Sequence, residues 1–210
     1  MTPKVSEEHL DARRRQIIDA AIACFARDGF HRATMQDVCH EARLSPGAIY
    51  RYFSGKRELI QAIADERHAR EAEFMSRAHE VGGGIEGLRA FGRVSFESLA
   101  DPDERRRRKL GLQVWAEAAL DPAIRTIIMR GIDRSREVMT LLIREAQERG
   151  ELALDLDPDS VARAMLALFQ GFILQQAWDE RVDVAAYLET VEAFVDALVA
   201  SGVTAEVGRP

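Results

Sequence analysis

The run Ala33-Thr34-Met35-Gln36-Asp37-Val38-Cys39-His40-Glu41-Ala42-Arg43-Leu44-Ser45-Pro46-Gly47-Ala48-Ile49-Tyr50-Arg51-Tyr52-Phe53-Ser54-Gly55-Lys56-Arg57-Glu58-Leu59 decides the fold. Thr34 can cap a helix while Asp37, three residues on, returns the bond in a capping-box arrangement. Met35, Val38, Cys39 and Ala42 then share the inner face of a short helix. Ser45-Pro46 opens a second one, because a serine caps well and a proline at the first helical position loses no hydrogen bond. Two short helices joined around Ala42-Arg43-Leu44 and braced by a longer helix on each side form a helix-turn-helix.

The second of the pair is the one expected to enter a major groove. At about 100° per residue, Ile49 and Phe53 share one side and anchor it to a core. The opposite side carries Gly47, Ala48 and Arg51. The two small residues let the backbone approach base edges, and Arg51 is the one long donor there, suited to a bidentate contact with guanine. Tyr50 and Tyr52 flank this face and can reach phosphate oxygens. The helix starts at Thr34, at Ser45-Pro46 and at Gly55-Lys56 offer backbone N–H groups to phosphate, with the Lys56 charge added.

The 210 residues, with 47% hydrophobic and 30% charged side chains, describe a foldable chain with one or two cores. The net charge of −6 argues against non-specific coating of nucleic acid. Residues 1–60 hold ten Lys/Arg against eight Asp/Glu and the remainder nineteen against twenty-seven, so affinity for phosphate belongs to the first quarter. Apolar runs fall well short of the roughly eighteen residues of a membrane span. With no secretory signal, the chain is expected in the cytoplasm, without a membrane partner.

Helical periodicity continues throughout, which predicts an all-α protein of nine helices. The first spans about 6–28. After the two short helices, a long fourth runs from near Ser54 to Gly82-Gly83-Gly84 and is expected to couple the two halves. Five more are expected at about 85–100, 103–119, 122–149, 158–180 and 184–201, separated by Asp-Pro and Gly stops. The expected organisation is a DNA-binding domain over 1–60, an effector-binding and dimerisation domain over 61–203, and a loose tail over 204–210.

The quoted run closely resembles the DNA-binding signature of the TetR family of transcriptional regulators, over roughly residues 10–60. It departs from that signature at Arg43, where the family usually carries glycine; a side chain in a left-handed turn costs about 1 kcal/mol, so either the turn is adjusted or a phosphate contact by Arg43 offsets the cost. For residues 61–210 the resemblance is one of helix count and order. It implies a TetR-like fold, a homodimer with one DNA half-site per recognition helix, and repression relieved by a small-molecule effector.

The eighth helix is apolar on more than one stripe, with small residues at Ala164, Ala167 and Gly171, and so is expected to pack on its own core and on a partner. Val161, Ala164, Met165, Leu168 and Gly171 are its candidate dimer contacts. The ninth helix adds Tyr187, Val191, Phe194, Val195 and Leu198, completing a four-helix interface between two copies. Phe91, Phe96, Trp115, Met129, Phe169 and Phe172, with Gln113 and Gln170, are the candidate lining of an effector cavity among helices four to eight, suited to an apolar or amphipathic compound.

Other features carry less. Arg105 to Lys109 follow Asp101, Asp103 and Glu104 at helical spacing and read as a self-compensated helix face. Cys24 and Cys39 read as small buried hydrophobes. The five histidines lack metal-ligand spacing, so no metal or cofactor is expected. No nucleophile elbow or phosphate loop is present, which leaves an enzyme assignment without residues. Two other readings stay open: a constitutive or architectural DNA-binding dimer without sensing, and a helical small-molecule-binding protein that does not use DNA.

Overall fold

The computed structural model describes residues 7–80 and 82–207, and among these every regular element is helical. The order is α1 (Glu7–Asp28), α2 (Met35–Ala42), α3 (Pro46–Tyr50), α4 (Lys56–Glu80), α5 (Gly84–Glu97), a 3-10 turn (Ser98–Ala100), α6 (Pro102–Leu120), α7 (Pro122–Glu148), α8 (Pro158–Trp178) and α9 (Val184–Val207). Thus nine α-helices stand among the described residues, as the periodicity predicts. The ninth continues to Val207, so the tail expected from Thr204 does not begin there. The reason is local: no Pro follows Val184 until Pro210, and Gly202 alone does not end the helix. Residues 208–210 lie outside the described residues.

The chain forms two compact units, and the expected boundary at residue 60 is corrected by their membership. The first unit comprises residues 1–67 together with 106–129, and the second comprises 68–105 with 130–210. Burial explains the exchange. Leu110, Val114 and Ala118, spaced four apart on α6, and Ile124 and Ile127 of α7 belong to the same core as Ile17, Ile18, Phe25, Val38 and Ile49. Arg107 of α6 also pairs with Asp19 of α1 at 3.2 Å, so the basic run is compensated beyond its own helix. Both cysteines are buried here. Burial raises the Cys24 pKa, although the Arg27 guanidinium one turn on reaches its sulfur at 3.7 Å and opposes the shift.

In the second unit, one cluster gathers Leu88, Phe91, Leu142, Ile143, Ala146, Ala162 and Val195, and another Phe96, Leu99, Phe172 and Val191. The start of α5 shows why a glycine stands at its first position. The Gly84 N–H donates to Glu145 Oε2 at 3.1 Å and the Ile85 N–H to Glu151 Oε2 at 3.0 Å, so carboxylates from the end of α7 and just beyond it occupy the positive helix terminus. Gly84 has φ +55, and a Cβ there would lie 2.6 Å from Glu151 Oε2. Gly84→Ala is therefore expected to combine a left-handed penalty with loss of the Glu151 cap, about 2 kcal/mol together. A denaturant midpoint unchanged from wild type would show that the capping geometry has no energetic weight.

Candidate nucleic-acid interface

Helix α2 is fixed at both ends by side chains. At its start Asp37 N–H donates to the Thr34 hydroxyl oxygen at 3.2 Å, while the Thr34 N–H and O–H each donate to the Asp37 carboxylate at 2.7 Å. The hydroxyl first, and then the N–H, hold the Asp37 carboxyl below the usual aspartate range. At its end Arg43 stands in the left-handed region at φ 54 and ψ 43. Its N–H donates to His40 O at 3.1 Å and the Leu44 N–H to Cys39 O at 3.0 Å, closing the helix as a glycine would. Gln16 of α1 adds a donor to Ala42 O at 2.8 Å, a brace that no local sequence signal announces.

Helix α3 has only five residues and depends on its anchors. Ser45 caps it through a 3.3 Å bond from the Ala48 N–H, and Pro46 occupies its first turn. Ile49 is fully buried and Phe53 nearly so, with the Arg14 guanidinium 5.7 Å over the Phe53 ring. Gly47, Tyr50 and Arg51 are exposed, Ala48 is half-buried, and Tyr52 packs partly against the core. A Cβ built at Gly47 would meet nothing within 4 Å. The fold does not require a glycine there, whereas a close approach by another molecule would.

Lys56 is placed differently from the expectation of a charge free for phosphate. Its Nζ donates to Phe30 O at 2.8 Å, His31 O at 3.2 Å and Ala33 O at 2.9 Å, and lies 4.8 Å over the Phe30 ring. An ammonium has three N–H bonds, and all three are used. Gln113 also engages the backbone: its Oε1 accepts the Phe30 N–H at 2.8 Å.

Comparison with known proteins bears on what this surface is. A family model described as bacterial regulatory proteins of the tetR family matches residues 17–63, and one described as the C-terminal part of BetI-type transcriptional repressors matches residues 84–200. The HTH-type transcriptional repressor Rv1474c of Mycobacterium tuberculosis is 33% identical over 196 residues, covering 90% of this chain and 96% of that protein. The chain belongs to the TetR family of bacterial transcriptional regulators. The HTH-type transcriptional regulator TtgR of Pseudomonas putida is 30% identical over 211 residues, with 91% of each chain covered. The solved complex of SmeT with triclosan has a TM-score of 0.73 and 26% identity, covering 87% of this chain and 90% of that one.

Within this TetR-family regulator the remaining candidate residues divide. Phe96, Phe169 and Phe172 come together with Tyr187: ring centroids lie 5.1 Å apart for Phe96–Phe169, 5.3 Å for Phe96–Phe172 and 4.7 Å for Phe172–Tyr187. Phe91 belongs to the other cluster of the second unit, Gln170 is half-buried, and Met129 is exposed. Trp115 is half-buried with its indole N–H enclosed and unpartnered. The wall expected from the fourth helix falls mostly on side chains outside the described residues.

Three dimer candidates make contacts within the protomer. Tyr187 packs in the aromatic cluster and its hydroxyl donates to Leu168 O at 3.1 Å. Val191 and Val195 are buried within the protomer, so their surface is already covered. Val161, Met165, Leu168 and Leu198 pack partly on the same cores. Gly171 is half-buried and Ala164 exposed. Phe194 is 52% exposed and Trp178, which the sequence reading omitted, 77%. Trp178 ends its helix on the stripe of Ala164, Ala167, Gly171 and Leu174, so helical spacing from the small residues could have found it.

Proposed function

We propose that this TetR-family regulator is a repressor that binds an operator as a homodimer and leaves it when a small apolar or amphipathic effector binds. The observation that carries the reading is the solvent-facing surface of α3, where Gly47 leaves open space beside the exposed Arg51. Arg51 reads a guanine, while Thr34, Arg43, Ser45, Pro46, Ala48, Tyr50 and Tyr52 position the helix against the duplex. The similarity to a protein named as a repressor supports the sign of regulation, and that to triclosan-bound SmeT supports a small-molecule effector. Exposed Phe194 and Trp178, large apolar side chains on α9 and α8, support a second copy as partner. Such a protein works by binding and not by catalysis, in the cytoplasm, where the operator is.

The test is selection of genomic fragments at moderate salt, followed by release with candidate compounds. Retained fragments are expected to carry inverted repeats with half-sites about 34–36 Å apart, as two symmetry-related recognition helices require. Arg51→Ala is expected to relax preference at one base position by about 1–3 kcal/mol. Retention without sequence preference, or unchanged specificity in the Arg51 variant, removes the docking arrangement. The mutual packing of Phe96, Phe169, Phe172 and Tyr187 favours a second reading, a constitutive regulator, and persistent retention in the presence of every compound tried supports it.

A further inference from the structure

Two residues far apart in sequence converge on the backbone of one residue, Phe30. Phe30 lies in the segment between α1 and α2, just ahead of the Thr34 cap. Its N–H is taken by Gln113 of α6 at 2.8 Å and its carbonyl by Lys56 of α4 at 2.8 Å. The ring is nearly buried; its face meets the Lys56 ammonium and it makes an edge contact with Phe25, centroids 5.4 Å apart at 77°. The same ammonium holds His31 O and Ala33 O, and Ala33 N–H returns to Gly29 O at 3.1 Å. Donor, acceptor and ring of one residue are thereby all engaged, and the chain leaves this point directly into the capping box of α2.

We propose that Lys56 and Gln113 are positioning residues for operator binding: they fix the Phe30–Ala33 segment, and through it the start of α2, without either side chain touching DNA. The inference rests on the regulatory reading above. For Lys56 to meet a phosphate it would have to abandon three carbonyls, two of them at 2.9 Å or less, and the aromatic face beneath it. Two of these bonds are part-buried, and an acceptor stripped of its donor where water has limited access carries a penalty that favours the internal arrangement. Gln113 is likewise directed at the protein's own backbone, its carbonyl oxygen accepting the Phe30 amide. What both supply is a fixed starting point for a helix only eight residues long, too short to hold its own orientation.

The experiment measures operator affinity across a salt series for the full-length wild type, Lys56→Met, Gln113→Leu and Gln113→Glu, with circular dichroism confirming the folded state at the assay temperature. Lys56→Met and Gln113→Leu are each expected to bind about tenfold more weakly. Their salt slopes are expected to equal that of the wild type, because no phosphate contact is removed. Gln113→Glu, which keeps the acceptor for Phe30 N–H, is expected to recover binding to within about threefold. A slope reduced by about 0.9 in Lys56→Met, the signature of one lost phosphate, overturns the proposal, as does wild-type affinity in Gln113→Leu. Should Lys56→Met fail to fold, the two Gln113 variants decide alone. A wild type that retains no sequence selectively defeats the regulatory reading itself, whereas selective wild-type binding with an indifferent Gln113→Leu defeats only this inference.

Discussion

Ile49→Ala is expected to destabilise the first unit by about 2–5 kcal/mol and to remove specific operator binding at physiological temperature. Ile49 is the fully buried anchor of a helix five residues long. An isolated helix of that length has no stability in water, since nucleation costs more than its few hydrogen bonds return. Its orientation is therefore lent by the contacts of Ile49 and Phe53 with the core shared by α1, α2, α4, α6 and α7. Truncation leaves a cavity where the recognition helix is attached, and the exposed Gly47-Arg51 surface loses its fixed aim. Ile49→Val, which removes a single methylene, should cost only about 0.5–1.5 kcal/mol and keep binding measurable. Urea midpoints and operator affinities of the two variants test this; equal, near-wild-type values for both would mean that the helix is held by something else.

Much of the helix-turn-helix was legible because its determinants are local. Thr34 and Asp37 are three residues apart, Ser45 precedes Pro46 directly, and Ile49 and Phe53 are one turn apart, so propensity and periodicity could be read without knowing the fold. At Arg43 the sequence is compatible with an adjusted turn or with a side chain held in the left-handed region, and the structure has the second. The misreadings have a common physical origin in long-range burial. Lys56 reads as a charge for phosphate, yet its acceptors lie 23 to 26 residues earlier, and the backbone partner of Gln113 lies 83 residues earlier. A boundary at residue 60 follows chain order, whereas Leu110, Val114 and Ala118 complete the first core from α6. The ninth-helix stripe is apolar, and Val191 and Val195 on it face their own protomer while Phe194, between them in sequence, faces outward. Periodicity says that a face is buried; it does not say against what.

That ambiguity becomes measurable at Phe172. Phe172→Ala is expected to lower the stability of the second unit by about 3–5 kcal/mol, because the ring is fully buried and its removal leaves a cavity that neighbours only partly fill. Its contacts with Phe96 and Tyr187 add aromatic pair energies of about 0.5–1.5 kcal/mol beyond burial. For a chain of this size the thermal midpoint should fall by roughly 6–20 °C. The sign of the argument differs if Phe172 instead borders an effector cavity. A residue beside empty space loses few packing contacts when shortened, so the midpoint would barely move while the concentration of compound needed to release operator changed. Measuring both quantities on one variant separates the two roles. A large fall in midpoint with effector response preserved in the remaining folded protein assigns the aromatic cluster to the core, and a small fall with altered response assigns it to the cavity, in which case the expected destabilisation is wrong.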